Sequence, residues 1–482
     1  LTSNPQRILV IGGGITGLAA AYRLTELDPH RQIVLVEASD RLGGVLETVR
    51  RDGYLIERSA DNFITNVPWA VELSKRVGLG DQLLATDERL RAALVVRNGR
   101  LVRVPAGFSL MAPGRAWPIV TTPLLSSAGK LRVLAERFVR GGAPSADESL
   151  AAFARRRLGV EAFERIVQPL VGGIYTADPE KLSLAATLPR FQEMERRWGS
   201  LTRGIREENA QVASESGFSG AVNGNDAGAR YSQFVAPREG LSSLVAAVAA
   251  RLPAGCVRLR SPVREIRRRE QGWTIVPTAG EPLDCDAVIV TAPAPAAAKL
   301  LAGLDEKLSL ALAEIEYAST AVVSLAFARN QIRKPLDGFG FVVPAIERRP
   351  ILAASFASLK FPGRAPADHV LVRVFIGGAC QSELLDGDDP AILEIAVEQL
   401  RMLIGAEGSP AFSDVARWPH SMPQYHIGHL ERVATIERAV SAWPGLALAG
   451  NAYRGVGIPH CVHSGNQAAE KIHALLASGV HG

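Results

Sequence analysis

The apolar run Arg7 to Ile11 ends in Gly12-Gly13-Gly14-Ile15-Thr16-Gly17, followed by a helical pattern over Ile15 to Leu27 and a second β-rich run over Gln32 to Val36. Gly12, Gly14 and Gly17 thus form GxGxxG between a strand and a helix, where backbone amides and a helix N-terminus can approach a pyrophosphate. Glu37 stands 20 residues past Gly17, at the end of the second strand, where a carboxylate can accept the hydroxyls of an adenosine ribose. The triad alone is a weak signal, and a chance glycine turn is the alternative. Strand, turn, helix and acid in this order predict a bound dinucleotide.

The rest of the composition narrows the class. At about 150 residues per domain, 482 residues allow roughly three lobes. With 47% hydrophobic and 21% charged residues the chain is globular, which excludes wholesale disorder. Cys256, Cys285, Cys380 and Cys461 stand far apart without a CxxC pair, so neither a zinc ribbon nor a disulfide framework is expected. None of the nine histidines forms a spaced pair of metal-site type; His426 with His429, and His460 with His463, read as loop residues. No apolar run reaches about 20 residues, and Ile8 to Ile11 is too short for a secretory signal, so a cytoplasmic location is expected. The net charge of +5 is uneven: Leu90 to Arg140 holds nine basic residues against Glu136 alone, a net +8. That segment also carries Phe108, Leu110, Met111, Trp117, Ile119, Val120, Leu124 and Leu125. It reads as a surface that meets anionic lipid without crossing it, or as a solvated basic face over a core. Nucleic acid is not expected.

Glu37 also opens Glu37-Ala38-Ser39-Asp40-Arg41-Leu42-Gly43-Gly44, an ExxxRxGG extension. Here the chain resembles the glycine-doublet flavoproteins, which include amine oxidases, carotenoid desaturases and porphyrinogen oxidases. The resemblance implies FAD, held by Gly12, Gly13, Gly14, Thr16, Gly17, Glu37, Arg41, Gly43, Gly44 and Val45. It extends the cofactor contacts to Ser59, Ala60, Asp61 and Asn62, to the backbone of Val263 beside the adenine, and to Trp418. It also matches the closing strand and turn, with Gly450, Asn451, Val456, Gly457 and Ile458 against the flavin. Relatives carry glycine where this chain has Ser59, so a slightly different loop path is expected there.

Four further stretches, Gly173 to Pro179, Gly338 to Pro344, Pro423 to Leu430 and Gly455 to Cys461, resemble the oxygen-dependent protoporphyrinogen oxidase family over nearly the whole chain. The implied fold is α/β (α+β). A discontinuous Rossmann-like FAD-binding domain (1–88, 235–300 and 415–482) carries a helical membrane-associated insertion (89–212), a mobile loop (213–234) and a mixed-sheet substrate domain (301–414). The implied reaction is FAD-dependent oxidation of protoporphyrinogen IX to protoporphyrin IX in haem biosynthesis, with dioxygen as acceptor and hydrogen peroxide as by-product. The flavin accepts hydride and no general base is required, which leaves Tyr175, Tyr425 and Tyr453 open between structural and catalytic roles. Gly173, Phe339, Val342 and Phe375 match the residues that clamp the macrocycle; as residues on alternating strands they also read as ordinary core. Ala93 stands where many members carry an arginine for a substrate propionate, and Arg91, two residues away, is the candidate substitute. Asp61 is closer to members that oxidise coproporphyrinogen III, the alternative substrate. A membrane surface at the inner face of the cell membrane and a second copy of the chain are the other expected partners. The rival readings are another flavin amine oxidase, a carotenoid desaturase, or a non-catalytic escort protein on the same fold.

Overall fold

The computed structural model describes residues 6–142, 147–215 and 234–478. Its frame is a parallel five-stranded sheet in the order Val257–Arg258, Gln32–Val36, Arg7–Ile11, Ala287–Val290, Leu446–Leu448. Strands distant in sequence are neighbours in it, so the cofactor unit is discontinuous, as expected. Each of its inner strands is apolar on both faces, because both faces are covered. Ile8, Val10, Ile33, Leu35 and Ile289 pack against the helices Ile15–Leu27, Leu241–Ala249 and Ile458–Ala477. Leu9, Val34, Val36, Val288 and Val290 face the antiparallel strands Val263–Arg268, Trp273–Pro277 and Leu283–Cys285 and the helices Ala294–Leu301, Glu306–Ala313 and His429–Ser441. Each such side chain, fully buried, contributes about 1.5–3 kcal/mol.

The second sheet has seven strands in the order Phe412–Pro423, Tyr317–Ala328, His369–Gly377, Ala353–Phe356, Gly340–Val342, Ala93–Arg97, Arg100–Arg103. One face, with Val323, Leu325, Val372, Val374 and Phe341, packs on the helix Asp389–Ile404. The hairpin 93–103, assigned above to the helical insertion, is instead an edge of this sheet, with Val342 beside Val95 in parallel register. The helices over 294–313, split by the expected border at 301, both cover the parallel sheet. Of the expected mobile loop 213–234, residues up to Glu215 end the helix Leu201–Glu215 and Phe234 opens the strand Phe234–Pro237; the remainder lies outside the described residues.

The helical unit has its own core, and it overturns part of the surface expected for the basic segment. Phe108, Met111, Ile119, Leu124 and Leu125 are buried in that core, packed with Leu150, Phe153, Phe163 and Phe191. Within the basic segment, the large apolar residues left exposed are Trp117, Val120, Leu131 and Phe138. Among the described residues no helix is long and apolar enough to cross a membrane. The unit is tied at its centre by Glu136 and Arg157, both side chains fully buried and ion-paired. Glu136 also accepts from the Leu201 N–H and the Ser200 hydroxyl, each at 2.8 Å. Burial alone would push its carboxyl up; the Leu201 N–H and Arg157 outweigh that and hold it below the usual range. Replacing Glu136 by Ala leaves the buried Arg157 guanidinium with Glu195, 3.2 Å away, as its remaining counter-charge and strips the Leu201 N–H of its acceptor, and is expected to cost about 3 kcal/mol of stability. A thermal melt unchanged by Glu136→Ala would contradict this.

Candidate active site

The glycine turn is shaped by backbone contact. A Cβ on Gly17 would strike the Gly12 carbonyl oxygen, and one on Gly12, at φ +108°, would lie 2.7 Å from Oγ1 of Thr291. Thr291, which no sequence motif singles out, donates to the Ile11 carbonyl at 2.9 Å and so buttresses the turn from the neighbouring strand. The doublet comes to meet it: the Gly43 N–H donates to the Gly13 carbonyl at 2.8 Å, and Gly14 and Gly43 form a parallel bridge. Glu37 accepts from the Gly13 N–H at 2.6 Å and from the Ser39 N–H at 2.8 Å. A carboxylate has about four acceptor positions, so two remain for ribose hydroxyls. Arg41 spends its donors on the carbonyls of Leu42, Gly44 and Leu46, holding the doublet loop in shape.

Gly14 is the position of this turn where a side chain would meet nothing, and it heads a helix with no side-chain cap and no acid in its first turn. The helix Ile458–Ala477 begins at Gly457, also uncapped, and crosses the first helix so closely that a Cβ on Gly465 would strike the Thr16 carbonyl. Two uncapped helix starts beside glycines suit a diphosphate. Val45, 41% exposed, lies beside the doublet, and Val263 and Ser261 line a cavity of about 100 Å³ next to Val36. These residues fit a flavin dinucleotide.

The segment after the strand Tyr54–Glu57 joins this frame to the large sheet. Ser59 does not take a left-handed φ, so the glycine of relatives is not required here; its hydroxyl donates to the Val45 carbonyl. Arg58 donates to Asp414 at 3.1 Å and to Glu47 at 3.2 Å, while the Trp418 indole N–H donates to the Arg58 carbonyl at 2.7 Å. Asp61 is ion-paired with Lys360 at 2.9 Å and Arg373 at 3.2 Å, and Arg373 also donates to the Ser59 carbonyl. Burial alone would raise the Asp61 carboxyl, but the two cations hold it at about 2. Asn62 donates to Asp61, and Ala60 is half-buried between Ser59 and this cluster in the chain.

The sheet face turned away from the helix Asp389–Ile404 is graded along its strands. Asp414, Ser324, Arg373, Ser355 and Gly340 are register partners in a polar row. Two residues further along, Ala416, Val322, Phe375, Ala353, Val342 and Val95 form an apolar row. Phe375 and Val342 are half-buried in it. Gly173 lies against this row, since a Cβ there would come 3.2 Å from Val342. Its helix, Gln168–Tyr175, follows a π turn at Phe163–Val167, where Pro169 has no N–H for the Arg165 carbonyl. Three of the four expected macrocycle contacts therefore meet; Phe339 is 3% exposed at the lead-in to its strand. Arg91, the candidate substitute for the missing arginine, centres a tight turn closed by the Ala92 N–H on the Leu90 carbonyl, so strand alternation does not put it on the face of Ala93. Its guanidinium reaches the Thr86 carbonyl at 3.4 Å and Glu88 at 3.2 Å.

The closing turn, Gly450 to Gly457, is held by side chains whose role the sequence left open. Tyr425 donates to the Asn451 carbonyl at 2.5 Å and accepts from the Gly455 N–H at 2.8 Å. Tyr175 donates to the Thr187 carbonyl at 3.0 Å, within the helical unit.

Residues 15–473 match the family model of the flavin-containing amine oxidoreductases, and the chain belongs to that family. Its cofactor is FAD, the flavin that a βαβ turn with a ribose-binding acid accommodates. Among curated proteins it is 33% identical to coproporphyrinogen III oxidase of Bacillus subtilis, over 99% of this chain and 100% of that one. It is 28% identical to protoporphyrinogen oxidase 2 of Arabidopsis thaliana, over 98% of this chain and 95% of that one. A crystal structure from Exiguobacterium sp. 255-15, provisionally named a protoporphyrinogen oxidase, superposes with a TM-score of 0.85 at 30% identity, covering 98% of this chain and 99% of that one.

Burial drives the His429 imidazole down to about 4, against about 6.5 unfolded, so the folded protein keeps it neutral. A base depressed on folding contributes stability that is full above pH 6.5 and lost as pH falls toward 4, on the order of 3 kcal/mol here. His426, His460 and His463 are lowered by burial too, so the contrast with His429→Gln isolates this group. The stability of His429→Gln should decline less than wild type between pH 6.5 and 4; parallel curves would refute the assignment.

Proposed function

We propose that this chain oxidises a porphyrinogen to the porphyrin, protoporphyrinogen IX to protoporphyrin IX in the first reading, with three dioxygen consumed and three hydrogen peroxide released per macrocycle. The observation that carries the proposal is the half-buried pair Val342 and Phe375, in one apolar row with Ala353 and Val322, with Gly173 against it. Flat, branched and aromatic side chains across several strands suit a broad, nearly apolar ring, and glycine leaves room for it. When bound, FAD supplies hydride acceptance from the methylene bridges and delivery of the electrons to dioxygen. The chain's own part is to position: the sheet row carries the macrocycle, and the Asp61, Lys360 and Arg373 cluster fixes that sheet to the loop beside the cofactor.

Coproporphyrinogen III is the second reading, favoured by Asp61 and supported by three relatives named for it at 32–34% identity. Glu88, the partner of Arg91, is 75% exposed and holds it weakly, so Arg91 is the cation assigned here to a propionate. Each porphyrinogen, mixed anaerobically with holoenzyme, should develop porphyrin fluorescence on aeration, faster for the true substrate. Arg91→Met should raise KM about three- to tenfold with kcat little changed, the loss of roughly one charge-assisted hydrogen bond. Inertness toward both porphyrinogens would refute the function; an unchanged KM would refute the role of Arg91.

We also propose that the helical unit meets an anionic membrane surface from one side. Trp117, Leu131 and Phe138, 73%, 70% and 75% exposed, accompany exposed Arg115 and Arg137 in one segment. Wild type should sediment with phosphatidylglycerol vesicles and the double variant Trp117→Glu, Phe138→Glu should not; equal sedimentation would count against this surface.

A further inference from the structure

The turn between the strand Leu446–Leu448 and the helix Ile458–Ala477 has no regular structure of its own, and both Gly450 and Gly455 sit at φ +139°. Its Gly450 N–H donates to the Ser464 hydroxyl at 3.0 Å, and its other bound backbone groups are taken largely by one segment from elsewhere in the chain. The Tyr425 hydroxyl takes the start and the end of the turn, donating to the Asn451 carbonyl at 2.5 Å and accepting from the Gly455 N–H at 2.8 Å. The His429 ring takes the middle: Nε2 lies 2.9 Å from the Tyr453 carbonyl, which can only accept, so Nε2 carries the proton. The two rings stack, with centroids 3.9 Å apart and planes 13° from parallel. Both residues are buried, Tyr425 at 2% and His429 at 0% exposure. The segment is anchored on its other side to the helical unit, where the Ser183 N–H donates to the Tyr425 carbonyl at 2.8 Å and the Gly428 N–H donates to Asp147 at 3.0 Å.

We propose that Tyr425 and His429 are positioning residues that set the FAD-facing turn and, through it, the uncapped start of the helix Ile458–Ala477. Every polar contact described for their side chains is to the backbone of this turn. A helix start carries roughly half a positive charge, and its effect on a bound anion falls off within a turn. A shift of the turn therefore changes how the cofactor is held and how readily it takes electrons. The inference rests on the reading that FAD lies along the glycine turn and this closing turn.

The test uses purified holoenzyme and the variants Tyr425→Phe, His429→Leu and His429→Gln, with Gly14→Val as a control on the underlying reading. Tyr425→Phe keeps the ring and removes both hydrogen bonds, and is expected to weaken FAD binding about tenfold, the scale of a buried pair left unmade. It should also alter the visible circular dichroism of the flavin and lower its reduction potential. His429→Leu should act in the same direction, and His429→Gln, whose amide can still donate to the Tyr453 carbonyl, should restore most of the loss. A purely structural role would lower thermal stability in all three without moving the flavin spectrum or potential. Wild-type FAD affinity, spectrum and potential in Tyr425→Phe overturn the proposal; if Tyr425→Phe does not fold, the same result in His429→Leu overturns it. Gly14→Val retaining flavin would instead refute the cofactor reading itself, which separates the two failures.

Discussion

The structure depends on backbone touching backbone where the glycine turn meets the glycine doublet. Gly17 cannot carry a side chain because the Gly12 carbonyl occupies its place, and Gly43 reaches the Gly13 carbonyl directly. That contact brings the strand ends at Ile11 and Val36 together and lets Glu37 close onto the Gly13 N–H. The helix after the turn is then fixed closely enough for the closing helix to lie on it, with Gly465 against the Thr16 carbonyl. Segments near residues 10, 40, 290 and 450 thus share one frame, in which Gly12, Gly17, Gly43 and Gly465 each answer a close approach.

A second set of contacts refers the large sheet to that frame, and it is made of charge. Arg58, Asp61, Lys360, Arg373 and Asp414 come from the loop after Glu57 and from the sheet region, and they meet where little water reaches. Buried ion pairs yield little net stability because desolvation offsets much of the attraction, yet a mismatched pair is costly. Such a cluster therefore serves registry. It admits one placement of the loop over the sheet, with the polar row beneath the loop and the apolar row of Phe375 and Val342 beside it. The loop after Glu57 and the large sheet are held to one another by groups that need each other's charge.

The elements legible in the sequence were those whose signal is local. Strand, turn, helix and strand over Arg7 to Val36 appear where the pattern places them, as does the strand at Leu446. The hairpin 93–103 was legible as β structure, but its partner Val342 lies far along the chain, and no local pattern names the sheet it joins. Phe108, Met111 and Leu125 share a Pro- and Gly-studded segment with Trp117; only the packing of the helical unit separates the buried from the exposed. Ser59 looked like a violated glycine position until its backbone proved ordinary. Lys360 and Arg373 carried no motif, standing 299 and 314 residues from the loop groups they bind.

The sequence by itself determined the flavin class and the turn in which the glycines and the acid come together, because that turn is built from nearby residues whose spacing is the geometry. It also determined the family, since ordered motifs along one chain need no fold to be compared. Only the tertiary structure decided the apolar row across the large sheet, the charge cluster that ties that sheet to the loop after Glu57 and the Tyr425 and His429 contacts that hold the closing turn. Those depend on strand register and on groups meeting across hundreds of residues, and each exists only once the two sheets have formed and come together.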